Sequence, residues 1–212
     1  MRLAALAVAA LLALGGAAAA AEPPPFGASV SPVRWAELRG SYRSGCPVPP
    51  RDLRTVRVAH WGFDGRRRVG VLVVNRRVAG DVVGVFRRLY AARFPVRRMR
   101  PVAAYGGSDT ASMAADNTSA FNCRPPVGSG AGGWSMHAYG LAVDVSPVEN
   151  PYLVGGRVLP PAGRPFVDRR RARPGMALAG GVLVHAFEAA GWRWGGRWAG
   201  SPDYQHFSTN GR

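Results

Sequence analysis

The sequence predicts one domain of mixed helices and strands. Three observations carry this. A β-branched run at residues 68–75 follows an imperfectly alternating stretch at 53–61, with Gly62-Phe63-Asp64-Gly65 between them, the pattern of a β-hairpin. Residues 81–93 place Val82, Val83, Val85, Phe86, Leu89 and Tyr90 near helical spacing, with Arg87, Arg88 and Arg93 outside. No internal repeat, second composition regime or linker appears after residue 40. At 212 residues one large domain or two small ones would fit, and one is the economical reading.

The remaining elements follow in order. Residues 1–21 read as a secretory signal: Arg2 is the positive start, residues 3–14 are apolar, and Ala19-Ala20-Ala21 offers a small-residue cleavage site. The same apolar stretch, left uncleaved, would be a membrane anchor. Residues 22–45 are expected to be a Pro-rich N-terminal tether, and Cys46-Pro47-Val48-Pro49-Pro50 a rigid extended segment. Phe94-Pro95 ends the first helix, and residues 96–104 read as short and extended before a turn at Tyr105-Gly106-Gly107. Ser108-Asp109 can cap a helix running to Asp116. Gly128 to Gly133 is a Gly-rich approach, residues 141–145 alternate as a strand, and residues 152–168 read as loop. Met176 to Ala190 reads as a second long helix stopped by Gly191. For Trp192, Trp194 and Trp198, core packing is expected ahead of a sugar-binding groove.

Charge and cysteines bound the setting. All 28 basic residues are Arg, against 12 acidic, for a net charge of +16. Such a charge favours polyanionic surroundings. With export predicted, the phosphate-rich polymers and peptide carboxylates of a bacterial wall fit better than nucleic acid. An Arg-rich solvated surface from a GC-rich genome accounts for the charge equally well, so it marks a location and no functional site. The two cysteines, Cys46 and Cys123, allow a single intramolecular disulfide, which an exported chain favours.

The chemistry concentrates in two motifs. The first is Ser135-Met136-His137-Ala138-Tyr139-Gly140-Leu141-Ala142-Val143-Asp144; the second is Asp203-Tyr204-Gln205-His206. They offer two imidazoles and a carboxylate to one metal ion, with a spare carboxylate as general base. On a strand at 141–145, Ala142 and Asp144 share a face. His137 then lies in the preceding loop, where Gly140 permits a tight approach. Asp203 stands three residues before His206, so a helical or turn-like segment would face both the same way. Two His and one Asp leave a net positive charge at Zn²⁺. His60 and His185 are read as structural.

The pattern S-x-H-x-x-G-x-A-x-D followed by D-x-x-H resembles the D-alanyl-D-alanine carboxypeptidase group of zinc peptidases, with its VanY-type, VanX-type and L-alanyl-D-glutamate endopeptidase members. Phe121-Asn122-Cys123-Arg124-Pro125, Val148-Glu149-Asn150-Pro151-Tyr152 and Gly195-Gly196-Arg197-Trp198 extend the likeness, so residues 46–212 are expected to form the peptidase domain. The resemblance implies an α+β fold, a small antiparallel sheet flanked by helices as in hedgehog-like peptidases. It implies one zinc ion held by His137, Asp144 and His206, with Asp203 as catalytic base. Many relatives carry Glu at the Asp203 position, so the shorter side chain needs a closer backbone. Arg124 is implied as the cation on the scissile carbonyl oxygen, and Ser135 as a substrate contact. The implied reaction is direct hydrolysis of peptidoglycan stem peptides beside a D-amino acid, by an exported monomer. A non-catalytic wall-binding protein with a structural zinc is the rival, and it would need neither Asp203 nor Arg124. A nucleic-acid binder driven by the Arg excess would leave the motif spacing unexplained.

Overall fold

The computed structural model of the protein describes residues 24–127 and 133–212. The signal expected at residues 1–21 and most of the Gly-rich approach lie outside them. Among the described residues no helix is long and apolar enough to cross a membrane.

Strands β1 (Ala28–Pro32), β2 (Leu53–Trp61) and β3 (Arg67–Asn75) form an antiparallel sheet in that order. Helix α1 (Ala79–Ala91) follows, then β4 (Arg98–Met99), α2 (Asp109–Ala114) and β5 (Asn117–Thr118), with β4 and β5 parallel. The chain continues through β6 (Ala142–Asp144), the hairpin β7 (Tyr152–Val154) and β8 (Arg157–Leu159), α3 (Val182–Glu188), β9 (Arg193–Trp194) and β10 (His206–Ser208). A second antiparallel sheet runs β6-β10-β9. Helices and small sheets thus mix as an α+β fold.

Toward its open end the hairpin is buried on both faces, which explains its imperfect alternation, while Arg67, Arg68 and Val69 beside the turn are exposed. Val56, Val58, Leu72 and Val74 meet Val82, Val85, Phe86 and Leu89 of α1 in the main core. Leu53 and Val73 face a second cluster with Leu38, Val48, Phe121 and Cys123. A strand covered on both sides has no polar face to alternate with. The main core continues under the second sheet, where Phe187 of α3 stacks on Phe207 of β10 with ring centroids 4.1 Å apart.

Residues 119–123 stitch the two sheets together. Ser119 and Asp144 exchange both main-chain hydrogen bonds (3.0 and 2.8 Å), while Phe121 N–H donates to Val73 C=O (2.9 Å). The disulfide between Cys46 and Cys123, with Cα atoms 5.9 Å apart, fastens this segment to the loop before β2.

Four segments differ from the sequence-based expectation. Ala28–Pro32, read as tether, pairs along β2 as an edge strand, and Phe26 packs on Tyr90. Its five residues are exposed, so no buried periodicity marks it. Residues 96–104 contain only the two-residue β4 before a 3₁₀ turn at Val102–Tyr105. Residues 152–168 contain the hairpin β7–β8, turned by Gly155 and Gly156 with φ of 54° and 72°. Two positive φ values in a two-residue turn match strand twist and favour glycine.

The long helix expected from Met176 to Ala190 shrinks to α3. Ala177 N–H donates to Asn150 Oδ1 (2.6 Å), and its carbonyl accepts from Arg169 (2.7 Å). Gly180 then takes φ 71°, and Gly181 caps the helix. With its main-chain groups occupied by side chains, residue 177 cannot join a helical ladder.

Candidate metal centre

His137 lies in a 3₁₀ turn at Met136–Tyr139 that the sequence determines at both ends. Ser135 caps the start, its Oγ accepting from His137 N–H (3.3 Å). Gly140 closes it with φ 66°, and its carbonyl accepts from Asn75 N–H (2.8 Å). A Cβ at residue 140 would lie 2.6 Å from Asn75 N, so the turn packs against β3 only with glycine there. The chain then enters β6, where Asp144 sits directly opposite His206 of β10. Paired positions on neighbouring antiparallel strands place their side chains on one face, a few ångströms apart.

The three side chains converge. His137 Nε2 is 3.2 Å from Asp144 Oδ2 and 3.2 Å from His206 Nδ1, and His206 Nδ1 is 3.1 Å from Asp144 Oδ1. All three residues are buried. The outward ring nitrogens both meet main-chain oxygens: His137 Nδ1 lies 2.6 Å from Ala120 O, and His206 Nε2 3.0 Å from Arg212 O. A carbonyl oxygen only accepts, so those nitrogens carry protons. With a cation bound, the inward nitrogens and the carboxylate all turn lone pairs to it; without one, an inward N–H can donate to the Asp144 carboxylate. Tetrahedral zinc with ligands near 2.0–2.1 Å holds them about 3.3 Å apart, so the donor set and its spacing fit zinc.

Burial pushes the Asp144 carboxyl up, but the His137 and His206 imidazoles outweigh it and hold the group well below the usual carboxylate range. Asp203 moves the other way. Burial and then the charge of Asp144 raise it to about 7, against weaker opposing pulls from His206 and Arg124. Asp203 opens the turn that ends at His206, whose N–H donates to its carbonyl (3.3 Å). The segment is turn-like, the condition under which residues three apart face the same way.

A cavity of about 790 Å³ opens onto this cluster, lined among others by Asp109, Arg124, Tyr152, Trp198 and Asp203. Arg124 Nη2 lies 3.0 Å from Asp109 Oδ2, an ion pair whose angles do not complete a hydrogen bond. Asn122 donates to the other oxygen of Asp109 (3.3 Å). Asp109 Oδ2, Arg124 Nε and Asp203 Oδ1 are all buried without a hydrogen-bond partner. All three residues line the cavity, and of the two carboxylates only Asp109 has a cation beside its unbonded oxygen.

His137, Asp144, His206, Asp203, Arg124 and Ser135 all come together at this cavity. The Ser135 hydroxyl is engaged in capping the ligand turn. The tryptophans divide: Trp192 and Trp194 are buried in the core, while Trp198 lines the cavity. His60 is buried at the end of β2 with Nδ1 3.3 Å from Trp61 O, and His185 is exposed on α3. Glu149, given no role from sequence, is buried 3.4 Å from Arg97 Nη2, and burial raises it to about 8 with the neighbouring Asp116 charge adding to the effect. Sequence reasoning missed two contributors. Asp109 was legible as a helix start and not as the partner of Arg124. Arg212 acts through its main chain, which leaves no mark in a sequence.

No curated protein and no solved structure matches the chain. Residues 129–209 match a family model described as D-alanyl-D-alanine carboxypeptidase, and that span holds Ser135, His137, Asp144, Asp203 and His206.

Proposed function

We propose that the protein is an exported zinc peptidase that hydrolyses peptidoglycan stem-peptide amide bonds beside D-amino acids. The observation that carries this is the convergence of three lone-pair donors at 3.1–3.2 Å on the wall of a cavity that also holds a buried, unpaired carboxylate. The family match supplies the substrate class. The hedgehog-like arrangement implied by the motifs belongs to the same reading.

His137, Asp144 and His206 would hold the metal. When bound, zinc supplies Lewis-acid chemistry that polarises the amide carbonyl and makes water nucleophilic near neutral pH. Asp203 is the base by elimination. Among the described residues the cavity is lined by three carboxylates: Asp144 faces two imidazoles, Asp109 faces Arg124, and Asp203 has an oxygen with no partner of either kind. It takes the proton from the attacking water and passes it to the leaving amine. Burial, the largest influence on it, moves this carboxyl upward in the metal-free protein, toward the range such a base needs. Arg124, aimed by Asp109, stabilises the carbonyl oxygen as it becomes anionic. Export follows from the signal-like residues 1–21, and the net charge of +16 suits contact with anionic wall polymers. The chain is proposed to act as a monomer and without nucleic acid.

Muropeptides digested with the purified protein and weighed by mass spectrometry test this. Loss of one terminal alanine marks a carboxypeptidase, and an internal cut an endopeptidase. Chelation abolishes cleavage and zinc restores it. Asp203→Ala retains zinc yet loses cleavage by at least a hundredfold; full activity in that variant overturns the assigned base.

A further inference from the structure

We propose that residues 209–212 are a working part of the metal centre: the main-chain oxygen of Arg212, latched by Trp198, fixes the direction in which His206 offers Nδ1 to the metal. The inference rests on the zinc reading above and adds a positioning element that neither motif contains.

The two histidines receive their orientation from different places. His137 leans on Ala120 O at 2.6 Å, in the buried segment that joins the sheets. His206 leans on Arg212 O at 3.0 Å, beyond the last strand. An imidazole hydrogen-bonded on one nitrogen is fixed in tautomer and ring angle, which raises its value as a ligand on the other. For His206, that hold comes from a short segment curled back over the site.

The segment is fastened at each step. Thr209 N–H donates to Leu141 C=O (3.2 Å). Gly211 N–H donates to Ser208 Oγ (3.1 Å), and Arg212 N–H to Asn210 Oδ1 (3.0 Å). The Trp198 indole N–H donates to Gly211 C=O (2.8 Å), while its ring lies 5.3 Å from that of His206. Gly211 takes φ 82°, which turns the chain back toward His206. Asn210, Gly211 and Arg212 also line the cavity. Trp198 therefore acts as a latch, touching the ligand ring and holding the peptide that orients it.

The test compares zinc affinity, by chelator competition, in the full chain, a chain lacking residues 211 and 212, Arg212→Ala and Trp198→Phe. The full chain binds one zinc. Deletion weakens binding about 10–100-fold, the usual cost of losing such a contact. Trp198→Phe falls between, because the ring remains and the N–H is lost. Arg212→Ala binds like the full chain, since its main-chain oxygen is retained. Equal affinity with and without residues 211–212, or an Arg212→Ala loss as large as the deletion's, overturns the proposal. ¹⁵N NMR of the metal-free protein gives a second readout, which a purely structural role would leave unmoved. His206 keeps a hydrogen-bonded Nε2–H in the full chain, and its Nε2 signal moves in the deletion and, in part, in Trp198→Phe; an unchanged Nε2 signal in all three overturns the proposal. A full chain that binds no zinc sinks the peptidase reading instead, and the Nε2 measurement still decides the role of the segment. If the deletion fails to fold, Trp198→Phe decides by both readouts.

Discussion

Asp203 and Glu149 are buried carboxyls with raised pKa values, near 7 and 8, and both make the metal-free protein sensitive to pH in the same sense. A carboxyl raised in the folded state favours folding while protonated. Its contribution is complete below the ordinary carboxylate range and is lost as pH rises through the folded value. The chelated protein should therefore lose stability from about pH 4 to pH 8. Asp203→Asn should remove part of that slope, and melt higher than the parent at pH 8 by an amount worth on the order of a few kcal/mol. Glu149→Gln should flatten another part. Thermal unfolding across a pH series in chelator measures both, and an unchanged slope in either variant refutes the corresponding assignment. Asp109 invites a kinetic prediction. Asp109→Asn leaves Arg124 without its ion-pair partner, so kcat/KM on a peptide ending in D-Ala-D-Ala should fall about tenfold or more, with zinc content unchanged. The cluster of His137, Asp144 and His206 was legible in the sequence because metal chemistry restricts candidate ligands to few residue types. Asp109 was hidden by a sufficient ordinary explanation, the Ser108 cap beside it.

At the scale of elements, the turn 136–140 and the strand pair β6–β10 build the centre between them. Gly140→Ala should cost about 1–3 kcal/mol, because residue 140 must keep φ 66° and its new Cβ would press on the main chain of β3. Since the same turn carries His137, zinc affinity should fall together with the melting temperature; a variant that melts lower yet binds zinc normally would uncouple the two. Element legibility followed length and burial. The hairpin β2–β3 and α1 are long, and each repeats its pattern over several residues. The strands β9 and β10 span two and three residues, too short for any period, and β6, the other partner of β10, lies far away in sequence. The overlong helix around 176–190 failed for another reason: tertiary hydrogen bonds from Asn150 and Arg169 claimed Ala177 before the helix could.

Across the whole molecule, the Cys46–Cys123 bridge spans 77 residues and anchors the segment on which both sheets depend. Cys46→Ser with Cys123→Ser should lower unfolding free energy by about 2–5 kcal/mol, read from denaturant midpoints with and without reductant. A midpoint indifferent to reduction would count against a stabilising role. The bridge was readable from composition alone, because two cysteines leave one pairing; the stitching by residues 119–123 was not, since it uses main-chain groups that every residue carries. The order of assembly carries a final consequence. His137 and Asp144 are brought near each other by local chain, whereas His206 arrives only when the closing strand adds to β6 in register. A slip of one residue there would turn His206 to the opposite face. On the function proposed above, metal capture would be a checkpoint on completed folding: a nascent or misdocked chain lacks its third candidate ligand, and the proposed peptidase would stay latent until β10 is seated.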